Sequence, residues 1–374
     1  MAPLTASKRE SLNIVLPPHA TFERWKNVGL FDRQKKYYRY MNQFFDVAIF
    51  SADVKDYSED IGIRHYHPAL QSNQFGYRHL NYYLFLCLHA RRLRGISRVF
   101  GVSIPFLKFI KRRSKSKIVL SYHNNWAEGI KKDYPNIINS FVPAYIQKSA
   151  LQSADVLLLT HEWLKDHLPA DVTKQIYVNP NFVDPEIFYP EKKEKIILFA
   201  GRIHDSKGIF ELLQAFSQFA LRNSSYNLIF IGFGEDADKL IRTIEELKLR
   251  ESVRYLGKQS QEEMAHWMRR AEIFVLPSRN MEGHPKSLIE AMACKCVCLV
   301  TDVPGNNSLI TNGVNGILVS PNAAAAILAG LGEAAGAAAT ARRLAERAYN
   351  DVKDLFFENV VNKEIEILRG LAGT

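Results

Sequence analysis

The sequence predicts an α/β protein of two domains, each built around a parallel β-sheet. Its 374 residues suffice for two domains of about 150–200 residues, each with its own core. Short apolar runs that are typical of buried strands alternate with segments of helical periodicity, as in LNIVLPP, FDRQKKYYRYMNQFF and FDVAIFS near the start. This order predicts βαβ units, in which neighbouring strands run parallel.

The composition is that of a globular protein. Hydrophobic residues make up 47% of the chain and charged residues 24%. No run reaches the roughly 18 apolar residues of a spanning helix, and the N-terminal MAPLTASKRES lacks the apolar centre of a signal peptide. We therefore expect a cytoplasmic protein. The membrane contact that we consider is peripheral association with the inner face of the cell membrane.

The cysteines do not indicate disulfides or a metal site. Cys87, Cys294, Cys296 and Cys298 are too few and too unevenly spaced for a disulfide framework. The last three alternate along the chain, but CVCLV is typical of a buried strand and no second ligand pair lies nearby. The DAD sequence at residues 236–238 is better explained by the preference for acidic residues at a helix start. We expect no bound metal.

The net charge of +10 is concentrated in residues 91–117, where ten Lys or Arg residues occur without an Asp or Glu. Leu, Ile, Val and Phe residues are interleaved with these charges, which is the makeup of a helix that lies on a membrane surface. A solvated basic face on an ordinary core helix is the alternative. No zinc-finger, RNP or helix-turn-helix pattern accompanies the stretch, so we expect no nucleic acid partner.

In the first half of the chain, the candidate functional residue is His123. The segment SKIVLSYHNN (residues 116–125) is typical of a strand, and it delivers His123 at the carboxyl end, which is the functional edge of a parallel sheet. A surface-loop histidine without a function is the alternative. The apolar segment LNYYLFLCL (residues 80–88) predicts a core helix.

In the second half, a lysine at a helix start indicates a phosphate site. KIILFAG predicts a strand, GRIHDSKG a loop and IFELLQAF a helix, so Lys207 lies at the helix N-terminus. The helix dipole disfavours a cation there by about 0.3–1 kcal/mol unless an anion neutralises both. A solvated lysine is the alternative. LIFIGFG repeats the strand and turn, and its Gly232 and Gly234 permit close backbone approach.

The most informative stretch is LPSRNMEGHPKSLIEAMACKCVCLVTD. IFVLPS predicts a strand and SLIEAMA a helix that begins at Pro285 or Lys286. The turn between them places free N–H groups and the positive end of a helix dipole at the sheet's carboxyl edge. Glu282 in this turn and Glu290 in the helix can hold hydroxyl groups on two parts of one extended ligand. For Glu290, a capping box with Ser287 is the alternative.

Taken together, these residues resemble the signature of retaining glycosyltransferases of family 4. The matching segments are VTDVPGN (residues 300–306), NGVNGILVSP (residues 312–321) and, before them, Ser278, Glu282, Gly283, Pro285, Ser287, Glu290, Ala291 and Met292. The resemblance covers residues 179–371 well and residues 12–160 in outline. It implies the GT-B fold: two Rossmann-like domains with parallel sheets that face an interdomain cleft, and a C-terminal helix that returns to the first domain.

The resemblance also implies domain boundaries and residue roles. Residues 1–180 with 356–374 would bind the acceptor, and residues 181–355, joined through the Pro-rich connection at 176–190, would bind the donor. Arg202 and Lys207 would bind the donor diphosphate, Glu282 the sugar and Glu290 the ribose. His123 would lie over the reaction centre. The residues expected to bind the donor are Gly201, Arg202, Lys207, Gly232, Gly257, Lys258, Glu282, Gly283, His284, Pro285, Lys286, Ser287 and Glu290.

Several positions depart from the family pattern. Where many members have a glycine-rich loop after the first strand, HATFERWKNVG contains a single glycine. His284 and Lys286 replace apolar or small residues, and we interpret them as ligands of an acidic sugar or of the diphosphate. Lys295 stands where a glycine usually closes the helix, so we expect the αL cap to be missing. The Ala-rich run at 323–341 is a good helix former without chemistry.

The predicted function is retaining, metal-independent glycosyl transfer without a cofactor. The donor would be a nucleotide sugar. A UDP-sugar is the first candidate and GDP-mannose is the second. The acceptor would be a lipid-linked saccharide or a glycan at the cytoplasmic membrane face. Arg202, Lys207 and two helix N-termini would stabilise the departing diphosphate in place of a metal, and Arg202, Lys207, Glu282 and His123 would act in catalysis. The alternatives are an inactive GT-B protein that binds a nucleotide sugar or glycan, and a glycosyltransferase with a soluble acceptor.

Overall fold

The computed structural model describes residues 9–27, 29–69, 75–123, 137–172 and 174–372. The chain divides into two compact units, Met1–Pro180 with Val361–Thr374 and Asn181–Val360. Sequence analysis placed the return to the first unit at residue 356. Phe356 instead pairs with Val183 in a parallel bridge, and the Phe357 N–H donates to the Val183 carbonyl at 2.8 Å. These contacts keep the start of the last helix in the second unit.

In the described part of the first unit, seven parallel strands form one sheet in the order β3-β2-β1-β4-β5-β6-β7. Strand order reverses between β1 and β4, as in doubly wound α/β folds. The strands are β1 (Ser11–Val15), β2 (Asp46–Phe50), β3 (Arg64–Tyr66), β4 (Ile96–Phe100), β5 (Lys117–Tyr122), β6 (Val156–Leu159) and β7 (Gln175–Val178).

Helices connect these strands. Buried side chains of three of them, Leu86, Ile110 and Leu151, share one core with residues of β4 and β5. Glu162–His167 form a 3-10 helix. The helices are α1 (Phe22–Asn27), α2 (Phe31–Phe44), α3 (Ser58–Ile61), α4 (Phe75–Leu88), α5 (Leu107–Ser114) and α6 (Ile137–Ser153).

A carboxylate, rather than glycines, organises the loop after β1. The buried Asp53 side chain accepts hydrogen bonds from the backbone N–H groups of Phe22 and Glu23 at 3.1 and 3.2 Å, and from the Ser51 hydroxyl at 2.5 Å. The start of α1, a helix that sequence analysis did not predict, is therefore occupied by a side chain of the same unit.

A buried ion pair fixes the last helix, α13 (Phe357–Ala372), to the sheet of the first unit. Arg98 of β4 and Glu364 of α13 approach to 2.6 Å, and each side chain is 3% exposed. The Tyr37 hydroxyl donates to Glu364 Oε1 at 3.0 Å, and Asn179 Nδ2 donates to Oε2 at 2.7 Å. The predicted return of the C-terminal helix to the first domain is confirmed.

Residues 91–117 do not form a single membrane-surface helix. They comprise most of a 3-10 turn (Ala90–Arg92), then β4, α5 and the first residue of β5. Our interpretation of the stretch as one amphipathic helix is wrong, because the core takes up most of its apolar side chains. The buried ones are Leu93, Ile96, Val99, Val102, Ile104, Leu107 and Ile110.

The described part of the second unit contains a six-stranded parallel sheet in the order β10-β9-β8-β11-β12-β13. Strand order reverses between β8 and β11. The strands are β8 (Glu194–Ala200), β9 (Asn227–Ile231), β10 (Val253–Tyr255), β11 (Ala271–Leu276), β12 (Val297–Thr301) and β13 (Ile317–Val319). The helices are α7 (Ile209–Ala220), α8 (Ala237–Glu246), α9 (Gln261–Arg270), α10 (Lys286–Ala293), α11 (Ala324–Ala334) and α12 (Ala338–Val352).

The Ala-rich run is helical, as predicted, and contributes to two helices, since α11 ends at Ala334 and α12 begins at Ala338. Ile327, Leu331 and Leu344 from the pair are buried in the core of the second unit. Among the described residues, no single helix is long and apolar enough to cross a membrane. Two consecutive helical segments reach the necessary length and apolar composition only when they are taken together. They are Ala324–Ala334 and Ala338–Leu355, and the chain bends by 100° between them.

The turn that closes α10 forms without a glycine. Lys295 adopts a left-handed φ of 56°, its N–H donates to the Met292 carbonyl at 3.0 Å, and the Cys296 N–H donates to the Ala291 carbonyl at 3.0 Å. The predicted loss of the αL cap is wrong. Lys295 Nζ pairs with Glu346 at 2.7 Å, which offsets part of the strain that a side chain incurs in this conformation.

Candidate active site

The carboxyl ends of β8 and β11 lie side by side where the strand order of the second unit reverses. Open α/β sheets bind ligands at this position. The loop after β8 contains Lys207 and Gly208, and the loop after β11 contains Glu282. Gly208 has a φ of 68°, and a Cβ on it would lie 2.0 Å from the Pro277 carbonyl oxygen. The two loops therefore approach as closely as glycine permits.

The side chains of Lys207 and Glu282, both predicted to bind the donor, are in direct contact. Lys207 Nζ lies 2.5 Å from Glu282 Oε1, with the side chains 24% and 12% exposed. The Ser278 hydroxyl donates to the same carboxylate oxygen. Our sequence argument required an anion beside Lys207, and Glu282 itself supplies one. A ligand phosphate would have to share or replace this carboxylate.

Arg279 joins the two loops and was missed by sequence analysis. Its guanidinium pairs with Asp205 and donates through Nε to Glu211 Oε1 at 2.8 Å, and its backbone N–H donates to the Ser206 carbonyl at 2.9 Å. The hydrogen bond to Glu211 raises the pKa of Arg279 above its ordinary value. Arg279 thus fixes the loop of Lys207 against the loop of Glu282.

We expect Arg279→Lys to weaken binding of a nucleoside diphosphate about tenfold, because lysine cannot bond both carboxylates with a planar fork. The matched control is Arg270→Lys, which alters an arginine that pairs with Glu194 away from these loops. Isothermal titration and thermal unfolding of both variants separate the effects. Equal affinities of the two variants would contradict a positioning role for Arg279.

Two helices begin at this edge without a side-chain cap. Gly208 precedes α7 and Pro285 precedes α10, and neither position has a side-chain capping hydrogen bond. The capping-box interpretation of Glu290 is wrong, since the N-cap is Pro285 and Ser287 is already the second residue of α10. Glu290 is 4% exposed in that helix. Lys286 and Ser287 form its first turn, and the positive end of a helix dipole favours an anion there.

The predicted glycines lie at the carboxyl ends of β8, β9 and β10. A Cβ on Gly232 would lie 1.8 Å from the Gly201 carbonyl oxygen, and the Gly232 N–H donates to the Gly257 carbonyl at 2.9 Å. Side chains are thus excluded where these three backbones meet. Arg202 and Lys258, each next to one of these glycines, are exposed. Among the described residues, no ion pair involves either of them.

The loop at 303–306 supports the backbone of Glu282 and Gly283. The Glu282 N–H donates to the Pro304 carbonyl at 2.9 Å. Gly305 has a φ of 92°, and a Cβ there would lie 2.3 Å from the Glu282 carbonyl oxygen. The family resemblance includes this VPG segment but implies no role for it. The structure shows that the segment positions the turn that contains Glu282 and Gly283.

His284 and His204 serve the fold of their loops. His284 is buried, its Nδ1 accepts the Asn181 N–H at 3.2 Å, and its carbonyl accepts from Asn181 Nδ2 at 2.7 Å. Nδ1 therefore makes a structural contact, and donor binding by His284 stays a prediction. His204, to which we assigned no role, precedes the Asp205–Lys207 turn and accepts the Ser206 N–H at 3.1 Å.

The cysteines of β12 and the turn before it behave as core residues. Burial raises the pKa of Cys294, Cys296 and Cys298, which keeps the thiols protonated. Cys296 donates to the Met268 carbonyl at 3.2 Å. Among the residues that the structure describes, no group of three or more His, Cys, Asp or Glu side chains is placed to hold a metal ion.

His123 belongs to the first unit. It directly follows β5, at the carboxyl end of the strand, and its side chain is exposed. Residues 124 and 125 of the predicted segment lie outside the described residues. The predicted role of His123 at a reaction centre stays a prediction.

Comparison with known proteins shows that the second unit is similar to glycosyltransferases. Residues 184–351 match the family model described as Glycosyl transferases group 1. The chain is 29% identical over 187 residues to an uncharacterized glycosyltransferase of Methanocaldococcus jannaschii, covering 49% of this chain and 50% of the relative. It is 29% identical over 185 residues to the GDP-mannose:cellobiosyl-diphosphopolyprenol alpha-mannosyltransferase of Xanthomonas campestris, covering 48% of each. The chain thus spans about half the length of these curated relatives.

The fold comparison extends over the whole chain. The structure of Anabaena HepE in complex with UDP has a TM-score of 0.72 and 16% sequence identity, covering 98% of this chain and 100% of that one. With its two parallel-sheet α/β units, the protein has the GT-B fold, as predicted. Residues 184–351, which make up nearly all of the second unit, match the group 1 glycosyltransferase model, and this match supports the prediction of a transferase.

Proposed function

We propose that the protein is a glycosyltransferase whose second unit binds a nucleotide sugar. The observation that carries this proposal is the cluster at the reversal of strand order: Lys207, Glu282 and Ser278 in contact, beside two helix starts without side-chain caps. Helix N-termini and a lysine favour a diphosphate, and carboxylates favour sugar hydroxyls. Such a cluster matches both parts of a nucleotide sugar.

The proposed donor is a UDP-sugar first and GDP-mannose second. The bound UDP of HepE and the name of the Xanthomonas relative support these two choices. Glu282 would orient the sugar, and the buried Glu290 would accept hydrogen bonds from the ribose hydroxyls. Gly257 and Lys258 would lie near the base, as the family resemblance implies.

The proposed reaction retains the anomeric configuration, as in family 4, and uses no metal. The bond between the anomeric carbon and the phosphate oxygen breaks, and the acceptor oxygen bonds to the same face of that carbon. The acceptor proton passes to the departing phosphate oxygen. Arg202, Lys207 and the N–H groups at the starts of α7 and α10 stabilise the negative charge that develops on the diphosphate. The Lys207 ammonium would then interact with both the Glu282 carboxylate and the phosphate.

The proposed acceptor is a lipid-linked saccharide or a glycan at the cytoplasmic membrane face. The diphosphopolyprenol in the name of the Xanthomonas relative supports a lipid-linked acceptor. His123 at the carboxyl edge of the first sheet is the residue we assign to the reaction centre. A soluble acceptor is the second candidate.

The function is tested by incubating the full chain with a panel of UDP- and GDP-sugars, with and without lipid-linked saccharides, and measuring the nucleoside diphosphate released. We expect release from at least one donor, increased by an acceptor. An inactive binding protein would bind a nucleotide sugar without releasing the diphosphate, and that result would overturn the proposal.

A further inference from the structure

Three neighbouring helices of the first unit expose large apolar side chains. α4 presents Leu80, Leu84 and Leu88 at four-residue spacing, which places them on one helix face. α5 contacts both α4 and α6. The exposed residues on or next to α5 and α6 are Phe106, Phe109, Phe141, Val142 and Tyr145. We call these eight side chains the apolar surface of the first unit.

The apolar surface is separate from the buried side of the same helices. Leu88, Phe141 and Tyr145 are 79%, 72% and 75% exposed. The buried sides of the same helices, with Tyr82, Ile110 and Leu151, already pack in the core, so the exposed set is a second, outward-facing group. Contiguous exposed apolar patches on soluble proteins mark sites of interaction with proteins or membranes.

A basic cavity adjoins this surface. It has a volume of about 920 Å³ and is lined by the cationic side chains of Arg91, Arg94, Arg112, Arg113 and Lys115, together with Phe109. Phe109 belongs to both the cavity and the apolar surface. Among the described residues, none of the five cations takes part in an ion pair. Five uncompensated charges around one cavity favour an anionic ligand.

The chain through α4 and α5 contains no acidic residue, although Asp155 pairs with Lys111 of α5 and Asp171 pairs with Lys148 of α6. No Asp or Glu occurs from residue 61 to residue 127, a segment that includes α4, α5 and all the cavity residues. A surface that lies on an anionic bilayer combines cations with apolar side chains, and both are present on these helices. The charge pattern therefore favours a membrane.

We infer that the apolar surface and the basic cavity together dock the first unit on an anionic phospholipid bilayer. The leucines and aromatic side chains enter the interface, and the five cations bind headgroup phosphates. The cavity residues precede β4 and β5, at the amino edge of the sheet, whereas His123 lies at the opposite, carboxyl edge. This inference concerns the first unit and does not depend on the donor chemistry proposed for the second.

The experiment measures co-sedimentation of the full chain with phosphatidylcholine vesicles, with and without phosphatidylglycerol. The cation variant is Arg91→Gln with Arg112→Gln and Arg113→Gln. It should reduce partitioning onto anionic vesicles about 100-fold, because each cation near such a surface contributes a factor of about five. Raising the salt from about 0.1 M to 1 M should weaken binding of the parent, as the screening length falls from about 10 Å to 3 Å.

The apolar variant is Leu84→Gln with Phe109→Gln and Tyr145→Gln, which keeps all five cations. Its matched control is Leu221→Gln with Ile241→Gln and Leu247→Gln, which removes exposed apolar side chains of the second unit. We expect at least a tenfold loss of partitioning for the apolar variant and none for the control. Circular dichroism and nucleotide titration of each variant show whether both units remain folded.

Other outcomes overturn the inference. If the parent does not pellet with anionic vesicles, or if both variants pellet like the parent, the bilayer is not the partner. If inorganic phosphate at constant ionic strength abolishes pelleting while the apolar variant binds normally, the cavity is a site for free phosphate only. If light scattering shows a dimer that the apolar variant dissociates, the surface joins two copies of the chain.

Discussion

Replacing Lys207 with Ala is expected to lower kcat/KM for nucleotide-sugar turnover by about 10²–10³-fold. The ammonium lies in the loop after β8, beside the uncapped start of α7, where the departing diphosphate would develop charge. Loss of one preorganised group at such a position typically has an effect of this size. The substitution also leaves Glu282, 12% exposed, without its cation and next to an incoming phosphate. Like-charge repulsion adds to the loss.

Arg202→Ala should weaken nucleoside diphosphate binding by about 1.5–3 kcal/mol, the range for a charge-assisted hydrogen bond. Its matched control is Arg222→Ala, an exposed arginine in the turn after α7. Turnover of both variants and of Lys207→Ala is followed as nucleoside diphosphate release, with circular dichroism to verify folding. If Arg202→Ala and Lys207→Ala turn over like Arg222→Ala, this loop does not bind the diphosphate.

Replacing Glu364 with Ala is expected to destabilise the first unit by about 3–5 kcal/mol, the largest stability effect that we predict. Arg98 is 3% exposed and would keep its charge, because a guanidinium group stays protonated in proteins. Removing one partner of a buried pair leaves the other charge uncompensated. The Tyr37 hydroxyl and the Asn179 amide would lose their acceptor as well.

The matched control is Glu366→Ala, which removes an exposed carboxylate from the same helix. Urea unfolding gives the free energy, and hydrogen exchange in β1, β4 and β5 assigns the loss to the first unit, because the two units need not unfold together. The double variant Arg98→Met with Glu364→Met should be less destabilised than Glu364→Ala. A loss for Glu364→Ala within about 1 kcal/mol of the control would contradict a buried, uncompensated Arg98.

Local patterns allowed much of the second unit to be predicted from the sequence. The strand IFVLPS, the turn after it and the next helix can each be recognised within a short stretch of sequence. The position of Lys207 just before a helix can be recognised in the same way. Contacts between loops are not encoded in this way. Arg279 meets Glu211 across 68 positions of the chain, and no spacing in the sequence signals that pair. The Lys207–Glu282 contact joins two predicted residues, but a mutual ion pair was not predicted.

The errors share a physical cause, which is tertiary packing. The mixture of charge and apolar residues at 91–117 is that of a surface helix, yet Ile96 and Val99 belong to a central strand. Lys295 adopts the left-handed conformation because the packed end of α10 imposes the turn regardless of residue type. Neither strand pairing nor this local strain is visible in a single sequence, whereas periodicity and helix-start signals are.

The most direct test of the donor site is calorimetric titration of UDP, GDP and their sugars into the parent and into Glu290→Ala. The ribose assignment predicts that the parent binds at least one nucleoside diphosphate. Glu290→Ala should bind it about 10–150-fold more weakly, the effect of a lost hydrogen bond to a charged group. The exposed control Glu333→Ala should bind like the parent. If the parent binds none of these ligands, or if Glu290→Ala binds as tightly as Glu333→Ala, the proposed nucleotide-sugar site is contradicted.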